Sequence, residues 1–527
     1  MALPLGIHSV RGIDTSKESM LQRSGLARHF FEKPSWRPPP LKRKTPTTTA
    51  LLVLTVFLMA AFVTYSSWID TSGDFLEHST DKTVVISEKP KVAVRRIEIP
   101  LKCTKNKNQT QTCPKNYNPK TFQTEDIDPS LNPICPDYFR WIHEDLRPWK
   151  TSGITRDMVE RANRTATFHL VIKGGKAYVK NFRKAIQTRD VFTIWGILQL
   201  LRKYPGKLPD LEIMFDTEDR PFWSAIFIDK WSAIFRHLTT PVKAEINIKP
   251  WDSILKDIKE GKKRKWIDRE PYAYWKGNPF VDEKRQDLLK CNVTDQQEWN
   301  ARLFIQDWIL ESQQGFKQSN VADQCTYRYK IYIEGYAWSV SEKYILACDS
   351  VTLIVQPQFY DFFMRSMQPV EHYWPIRNDD KCRSLKFAVD WGNNHKKKNI
   401  NGFGRHMKLG KAASSFMQEQ LKMDYIYDYM YHLLNEYAKL LKFKPRIPEG
   451  AMELCSEVMA CQAEGLEGRK KKFMMESLVK GPSITNPCTL PPPYDTRALA
   501  AFLRRKNNSI LQVKKWEKGY WESLNKQ

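Results

Sequence analysis

From residue 45 to residue 69 the chain carries no charged side chain, and positions 50–63 are almost entirely Leu, Val, Phe, Ala and Met. A hydrocarbon layer about 30 Å thick needs roughly 20 such residues in a helix, so one membrane span is expected here. Lys42, Arg43 and Lys44 stand directly against the stretch, and the first 44 residues hold nine Lys or Arg against three acids. Asp70, Asp74, Glu77 and Asp81 follow on the far side. A basic flank stays cytosolic. This predicts a cytosolic tail at 1–44, a signal anchor at 45–69 and the C-terminal mass in a lumen. A cleaved signal peptide would have an apolar run of roughly 7–15 residues, but the basic leader is too long for that class. A core helix would show a polar face, and none is visible.

The cysteines agree with that topology. All ten lie beyond the apolar stretch, from Cys103 to Cys488, and an even number in an oxidising compartment predicts bridges. Zinc is the rival reading, but the chain has no CxxC pair and no HxxxH, so no metal is expected. Four N-x-S/T triplets begin at Asn108, Asn163, Asn292 and Asn507, all on the predicted luminal side, where each is a candidate glycan acceptor. Of the formal charge of +25, about +19 falls after the tail. The runs at 262–265 and 469–472 resemble nucleic-acid patches. In a lumen they read instead as solvated surface, or as attraction for anionic ligands.

A chain of 527 residues predicts two or three structural units. Positions 70–130 are polar and lack periodicity, which suggests a stem, with order beginning near Cys135. Runs at 167–173 and 176–180 flank Gly174-Gly175, a hairpin signal. Positions 191–202 are apolar on a helical period, and 208–215 read as a buried strand ending in the acidic turn DTEDRP at 216–221. A strand at 329–333, a helix at 340–347 and a strand at 351–355 repeat the alternation, and 416–441 reads as one long amphipathic helix. Strands alternating with helices predict an α/β architecture with largely parallel sheets. In such sheets ligands bind beyond the carboxyl ends of strands, which singles out the turn after Phe215.

Asp219 in that turn is the leading chemical candidate, because a carboxylate there can take a proton from an attacking hydroxyl. The bland reading is a turn or surface Asp, and Asp216, closer to the strand, reads as the turn cap. Lys276 and Gly277 pair a cation with a residue that lets backbone approach a phosphate. Ser339, Ser341 and Lys343 stand near the start of a helix, where anions are favoured, although an ordinary cap explains them equally well. Two near-misses are set aside. Gly404 to Gly410-Lys411 has five intervening residues and is followed by Ala412, so it is no P-loop. Asp126-Ile127-Asp128 spells a metal-binding D-x-D but lies in the stem.

Several longer strings then fall in one order: EDLRPW at 144–149 with GIT at 153–155, DTEDRP at 216–221, EINIKPW at 245–251, EPYAYWKG at 270–277, CTYRY at 325–329 and GYAWSVSEKYILACDS at 335–350. From 135 to about 444 the chain resembles glycosyltransferase family ninety, the Rumi-like protein O-glucosyltransferases and capsule xylosyltransferases, and most closely their plant members. The resemblance implies a GT-B-like α/β fold at 131–444, two Rossmann-like lobes split near 275 with the donor bound between them; the transmembrane helix and stem expected from the residues precede it, and an extension at 445–527 follows it. It implies inverting transfer from a UDP-sugar, with no cofactor and no obligatory metal, and with Asp219 as base. It places Lys276 and Gly277 at the nucleotide and Ser339 and Lys343 in the diphosphate region, and it suggests a Cys325–Cys348 disulfide. Between Pro221 and Glu245 there are 23 residues, with WSAIF at 223–227 and again at 231–235, where relatives carry a longer segment. Glu334 and Ser341 replace basic residues of the animal enzymes.

The expected function is a type II membrane glycosyltransferase of the Golgi or endoplasmic reticulum, moving glucose or xylose from a UDP-sugar to a glycan or glycoprotein acceptor. The alternative is a non-catalytic glycan-binding or scaffold relative that keeps the fold and lacks the donor pocket. A nucleic-acid-binding protein would require cytosolic or nuclear exposure, and no nucleic-acid partner is expected.

Overall fold

The computed structural model describes residues 97–104, 110–115, 132–185, 189–218, 251–261, 264–315, 317–319, 324–394, 402–461 and 469–526, all within the unit Val92–Gln527. The expected tail and anchor, Asn108, Asp126, Asp128, Asp219 and the 222–244 interval lie outside the described residues. Among the described residues no helix is long and apolar enough to cross a membrane.

The first lobe starts from a hairpin. Strands β1 (Phe168–Lys173) and β2 (Lys176–Asn181) pair antiparallel, with Lys173 opposite Lys176. Gly174 and Gly175 both hold positive φ, 58° and 76°, the geometry of the two-residue turn that matches strand twist. Helix α1 (Arg189–Lys203) is buried at every position from Phe192 to Arg202, with Ile194, Ile197, Leu198 and Leu201 in the main core and Phe192 and Trp195 in a smaller one. Strand β3 (Leu211–Phe215) is buried at every position and pairs antiparallel with β1. Helix α2 (Trp251–Gly261) adds Trp251, Ile254, Leu255 and Ile258 to the same core.

The second lobe is a parallel sheet. Strands β4 (Glu270–Gly277), β5 (Ala301–Ile305), β6 (Tyr327–Tyr332), β7 (Val351–Val355) and β8 (Trp374–Ile376) stand in the order β5-β4-β6-β7-β8, every pair parallel. Helix α3 (Glu283–Leu288) lies between β4 and β5 in the chain, and α4 (Glu342–Leu346) between β6 and β7. Helix α5 (Lys381–Asn393) follows β8 and packs on its core. Parallel pairing sends every carboxyl end to one edge, the usual ligand edge of such sheets.

Four expectations are corrected. First, the four-stranded sheet of the first lobe, β3-β1-β2-β9 with β9 at Met452–Leu454, is antiparallel at each pairing, so parallel strands belong to the second lobe only. A two-residue connection can join only antiparallel strands. Second, the lobes divide between Gly261 and Glu270, because position 275 falls inside β4. Third, the single helix expected at 416–441 is two, α6 (Gly402–Glu419) and α7 (Met423–Leu440). At the break, the Gln420 carbonyl accepts from the Tyr138 hydroxyl (3.0 Å) and the Leu421 carbonyl from the Trp251 indole (3.1 Å). Helix α6 also explains Gly410: a Cβ there would lie 2.5 Å from the Asp349 carbonyl oxygen, so this glycine marks close packing.

Fourth, the flanking regions are integral to the domain. Bridges Cys103–Cys461 and Cys113–Cys455 fasten pieces of the expected stem to the region past 444, and Cys135–Cys488 repeats the pattern. With Cys291–Cys382 and Cys325–Cys348, all ten cysteines are paired. The region past 444 also supplies β9 (Met452–Leu454) and the long helix α8 (Thr496–Leu524), capped by Asp495 accepting from the Ala498 N–H at 2.8 Å. Phe502 of α8 joins the first core, while Val513, Trp516 and Tyr520 pack with the second.

Candidate active site

The acidic turn after β3 is held by partners far away in sequence. Asp216 Oδ1 accepts from the Glu218 N–H (3.0 Å), closing an Asx turn, and from Arg183 (2.9 Å). The Thr217 N–H donates to Thr167 Oγ1 (3.1 Å), the two hydroxyls meet at 2.8 Å, and Arg189 donates to the Thr217 carbonyl (2.7 Å). Burial pushes the Asp216 carboxyl above the usual carboxylate range, against the opposing pull of the Glu218 N–H and Arg183. Asp219 stands one residue beyond the last described position of this turn.

At the carboxyl edge of the second sheet, Lys276 and Gly277 end β4. Lys276 Nζ donates to the Gln318 carbonyl (2.9 Å) and lies 3.7 Å from Glu311. A Cβ on Gly277 would come within 2.6 Å of the Trp275 ring, so backbone alone fits there. Ser339 follows β6: its N–H donates to the Tyr332 hydroxyl (3.1 Å) and its Oγ lies 3.0 Å from Ser341 Oγ. Because β4 and β6 are parallel neighbours, Lys276, Gly277 and Ser339 share one edge. Lys343 does not open onto it. It is 3% exposed, with Nζ 5.7 Å from the Trp251 ring and 5.2 Å from the Tyr344 ring.

Residues to which the sequence assigned no role build this edge. Arg285 of α3 donates to the carbonyls of Glu334 (2.9 Å), Asn278 (3.2 Å) and Ile333 (3.2 Å), fixing the ends of β4 and β6 together. Glu334 accepts from the backbone N–H groups of Gln358 (2.7 Å) and Phe359 (2.5 Å), with Lys284 at 3.5 Å, and so ties the end of β6 to the loop after β7. Glu334, noted in the sequence as a departure from the animal enzymes, therefore serves as a loop clamp. The one available signal was an Arg and a Glu flanking strand ends, which is common. Cys325–Cys348 joins the approach to β6 to the end of α4.

The sequons differ in setting. Asn163 is exposed just past the Arg156–Ala162 helix, and Asn507 is exposed on α8. Asn292 instead donates to and accepts from the Leu303 backbone (3.3 and 3.1 Å) along β5, the edge strand. Cys135, His432 and Cys488 approach as metal ligands would, but both sulfurs are consumed in a bridge.

A parallel sheet with a braced carboxyl edge is the usual ligand-binding setting of α/β folds. The profile of glycosyl transferase family 90 matches residues 130–517, and the chain belongs to that family. The match covers α8 nearly to its end, well past 444. Protein O-glucosyltransferase 1 of Bos taurus is 23% identical over 367 residues, covering 64% of this chain and 88% of that protein. O-glucosyltransferase rumi of Drosophila melanogaster is 21% identical over 370 residues, covering 64% and 84%. Protein O-glucosyltransferase 2 of Danio rerio is 25% identical over 349 residues, covering 62% and 67%.

Proposed function

We propose that this glycosyltransferase moves a sugar, glucose or xylose, from a UDP-sugar to a protein or polysaccharide hydroxyl with inversion at the anomeric carbon. Asp219 takes the proton of the acceptor hydroxyl as that oxygen attacks, and UDP leaves from the opposite face. One carboxylate base is sufficient for a single displacement. Lys276, the Gly277 backbone and Ser339 stabilise the charge that develops on the departing diphosphate, with Lys343 supporting them from the interior, so no metal is required. The observation that carries the reading is the turn after β3, fixed through Glu218 by Arg183, Arg189 and Thr167. In the same proposal, positions 45–69 anchor the chain as a type II protein of the Golgi or endoplasmic reticulum, with the described domain luminal.

The test is UDP release from UDP-glucose, UDP-xylose and UDP-galactose by the full-length protein and its Asp219→Asn variant. Release that falls by about 10³-fold in the variant, within the range for loss of a general base, supports the reading and names the donor. Saccharide binding with no release from any donor would favour the non-catalytic alternative.

A further inference from the structure

Helix α8 is 29 residues long, about 43 Å at the rise of an α-helix, and its two faces use their charge differently. The inner face is tied down. Lys506 donates to the Arg365 carbonyl (3.0 Å), Glu517 accepts from Arg377 (3.3 Å) and Ser384 (3.2 Å), and the Tyr520 hydroxyl donates to Asp390. Phe502, Val513 and Glu517 are buried there. Lys506 and Ile510 share one cavity wall with Ile354 of β7 and Ile376 of β8, so α8 lies over the carboxyl ends of these two strands. Strand β7 is the parallel neighbour of β6, which leads into Ser339.

The outer face carries positive charge that nothing neutralises. Between Asp495 and Glu517 the chain has six Lys or Arg and no acid. Five of the six, Arg497, Arg504, Arg505, Lys514 and Lys515, are exposed. Among the described residues no carboxylate pairs with any of these five. Arg497, Arg504, Lys515 and Lys518 recur at spacings that keep all four within about 60° of arc on a helix, opposite the buried Phe502 and Val513. Exposed cations on other helices have an acid three or four residues away, as at Arg161–Asp157, Lys256–Glu260 and Lys439–Glu436. On α8 only Lys518 has one, Glu522 at 3.8 Å. Like charges along one helix face weaken the helix, so this face is strained in isolation and relieved when an anion lies along it.

We propose that the outer face of α8 is a docking track for a carboxylate-bearing polysaccharide, the extended acceptor of the transferase. The track runs about 32 Å from Arg497 to Lys518 along a single helix, a shape that suits an extended chain rather than a compact ligand. Its arginines present planar forks that match carboxylates. It passes over the strand ends next to the edge that carries Lys276, Gly277 and Ser339, so a polymer held on it is concentrated beside the candidate site. An anionic bilayer fits less well, because the strong negative surface potential belongs to the cytosolic leaflet and the proposed topology puts this domain in the lumen. The choice of a glycan rests on the transferase reading; the unpaired basic stripe does not.

The experiment measures binding of the full-length protein to polygalacturonate, neutral xylan, polyglutamate, and vesicles of phosphatidylserine and phosphatidylcholine in equal parts. Two triple variants carry the same change in charge. One is Arg504→Glu, Arg505→Glu and Lys515→Glu on α8; the other is Lys470→Glu, Lys471→Glu and Lys472→Glu on the separate basic run. The expected result is that polygalacturonate binds tightest, weakens as salt is raised, loses about tenfold or more in the α8 variant, and is retained in the other. Equal losses in the two variants would mean that overall charge attracts the polymer, which overturns the track. Tighter binding of polyglutamate or vesicles, or no binding of polygalacturonate by wild type, overturns it too. Arg504→Gln with Arg505→Gln and Lys515→Gln repeats the test without introducing acids, and its urea midpoint is expected to match wild type because these side chains have no partners to lose. Asp219→Asn is assayed alongside: if UDP release never depends on Asp219 while the polygalacturonate pattern holds, the transferase reading fails and the docking track stands.

Discussion

The turn after β3 and the carboxyl edge of the second sheet are both fixed by arginine donating to backbone carbonyls, but they differ in what they leave available. At the turn, Arg189 holds the Thr217 carbonyl and Thr167 holds the Thr217 amide. At the sheet edge Arg285 reaches three carbonyls at the ends of two strands, and a side chain at Gly277 would collide with the Trp275 ring. In the proposed function, the first arrangement would carry the base on a braced turn. The second builds a backbone surface for a ligand to lie against. Most charged side chains near both are used on the protein itself, so charge alone is a poor guide to ligand contacts.

If that contrast is right, the two regions respond to mutation in different kinetic constants. Asp219→Asn gives the largest effect, a loss of about 10³-fold in kcat with urea stability unchanged. Arg285→Met comes next. It strips three carbonyls of a charged donor and lowers stability by about 2–3 kcal/mol, read by urea denaturation, and KM for the UDP-sugar rises more than kcat falls. Thr167→Val is milder because valine keeps the shape but leaves the buried Thr217 N–H without an acceptor. A cost of about 1–2 kcal/mol follows, and here kcat falls several-fold while donor KM holds. If Thr167→Val raised KM and Arg285→Met lowered only kcat, the assignment of roles to the two regions would have to be exchanged.

The elements legible in the sequence were those with a local cause. Gly174-Gly175 announced the hairpin, the apolar period at 191–202 announced helix α1, and the run at 351–355 coincides with β7. The hairpin set β1 and β2 antiparallel in advance, but the direction of β3 was not legible, because a β1–α1–β3 order along the chain fits either sense. The break between α6 and α7 was hidden because its cause is tertiary: Tyr138 and Trp251 claim the Gln420 and Leu421 carbonyls. The stem and the region past 444 looked peripheral because their cores are borrowed. Three disulfides, with β9 and α8, bring them in from more than 300 residues away. At the site, motif strings pointed to Lys276, Gly277 and Ser339 on the shared edge, but not to Lys343 facing inward or to Arg285 and Glu334 as the clamps.

The smallest effect concerns Glu342, and it sharpens the comparison by giving the second lobe a pH signature. Glu342 is fully buried, faces Asp361 and Glu334, and has Lys506 as the one cation acting on it. Desolvation is the largest influence and raises the carboxyl well above its ordinary value. In the folded protein it keeps its proton at pH values where the unfolded chain has already lost it. The folded state then binds more protons, so stability from this group is fully present below the unfolded value near 4.5 and is lost as pH rises toward the folded one. Glu342→Gln cannot ionise and is free of that loss. Thermal midpoints measured from pH 4.5 to 8 are expected to fall more steeply for wild type than for Glu342→Gln, with the variants nearest each other at the acid end. Asp216, at the other region, is raised as well, but Arg183 and the Glu218 amide oppose the rise, so Asp216→Asn should flatten the pH profile less than Glu342→Gln. Equal flattening by the two substitutions would mean that the second lobe holds no more deeply desolvated carboxyl than the turn does.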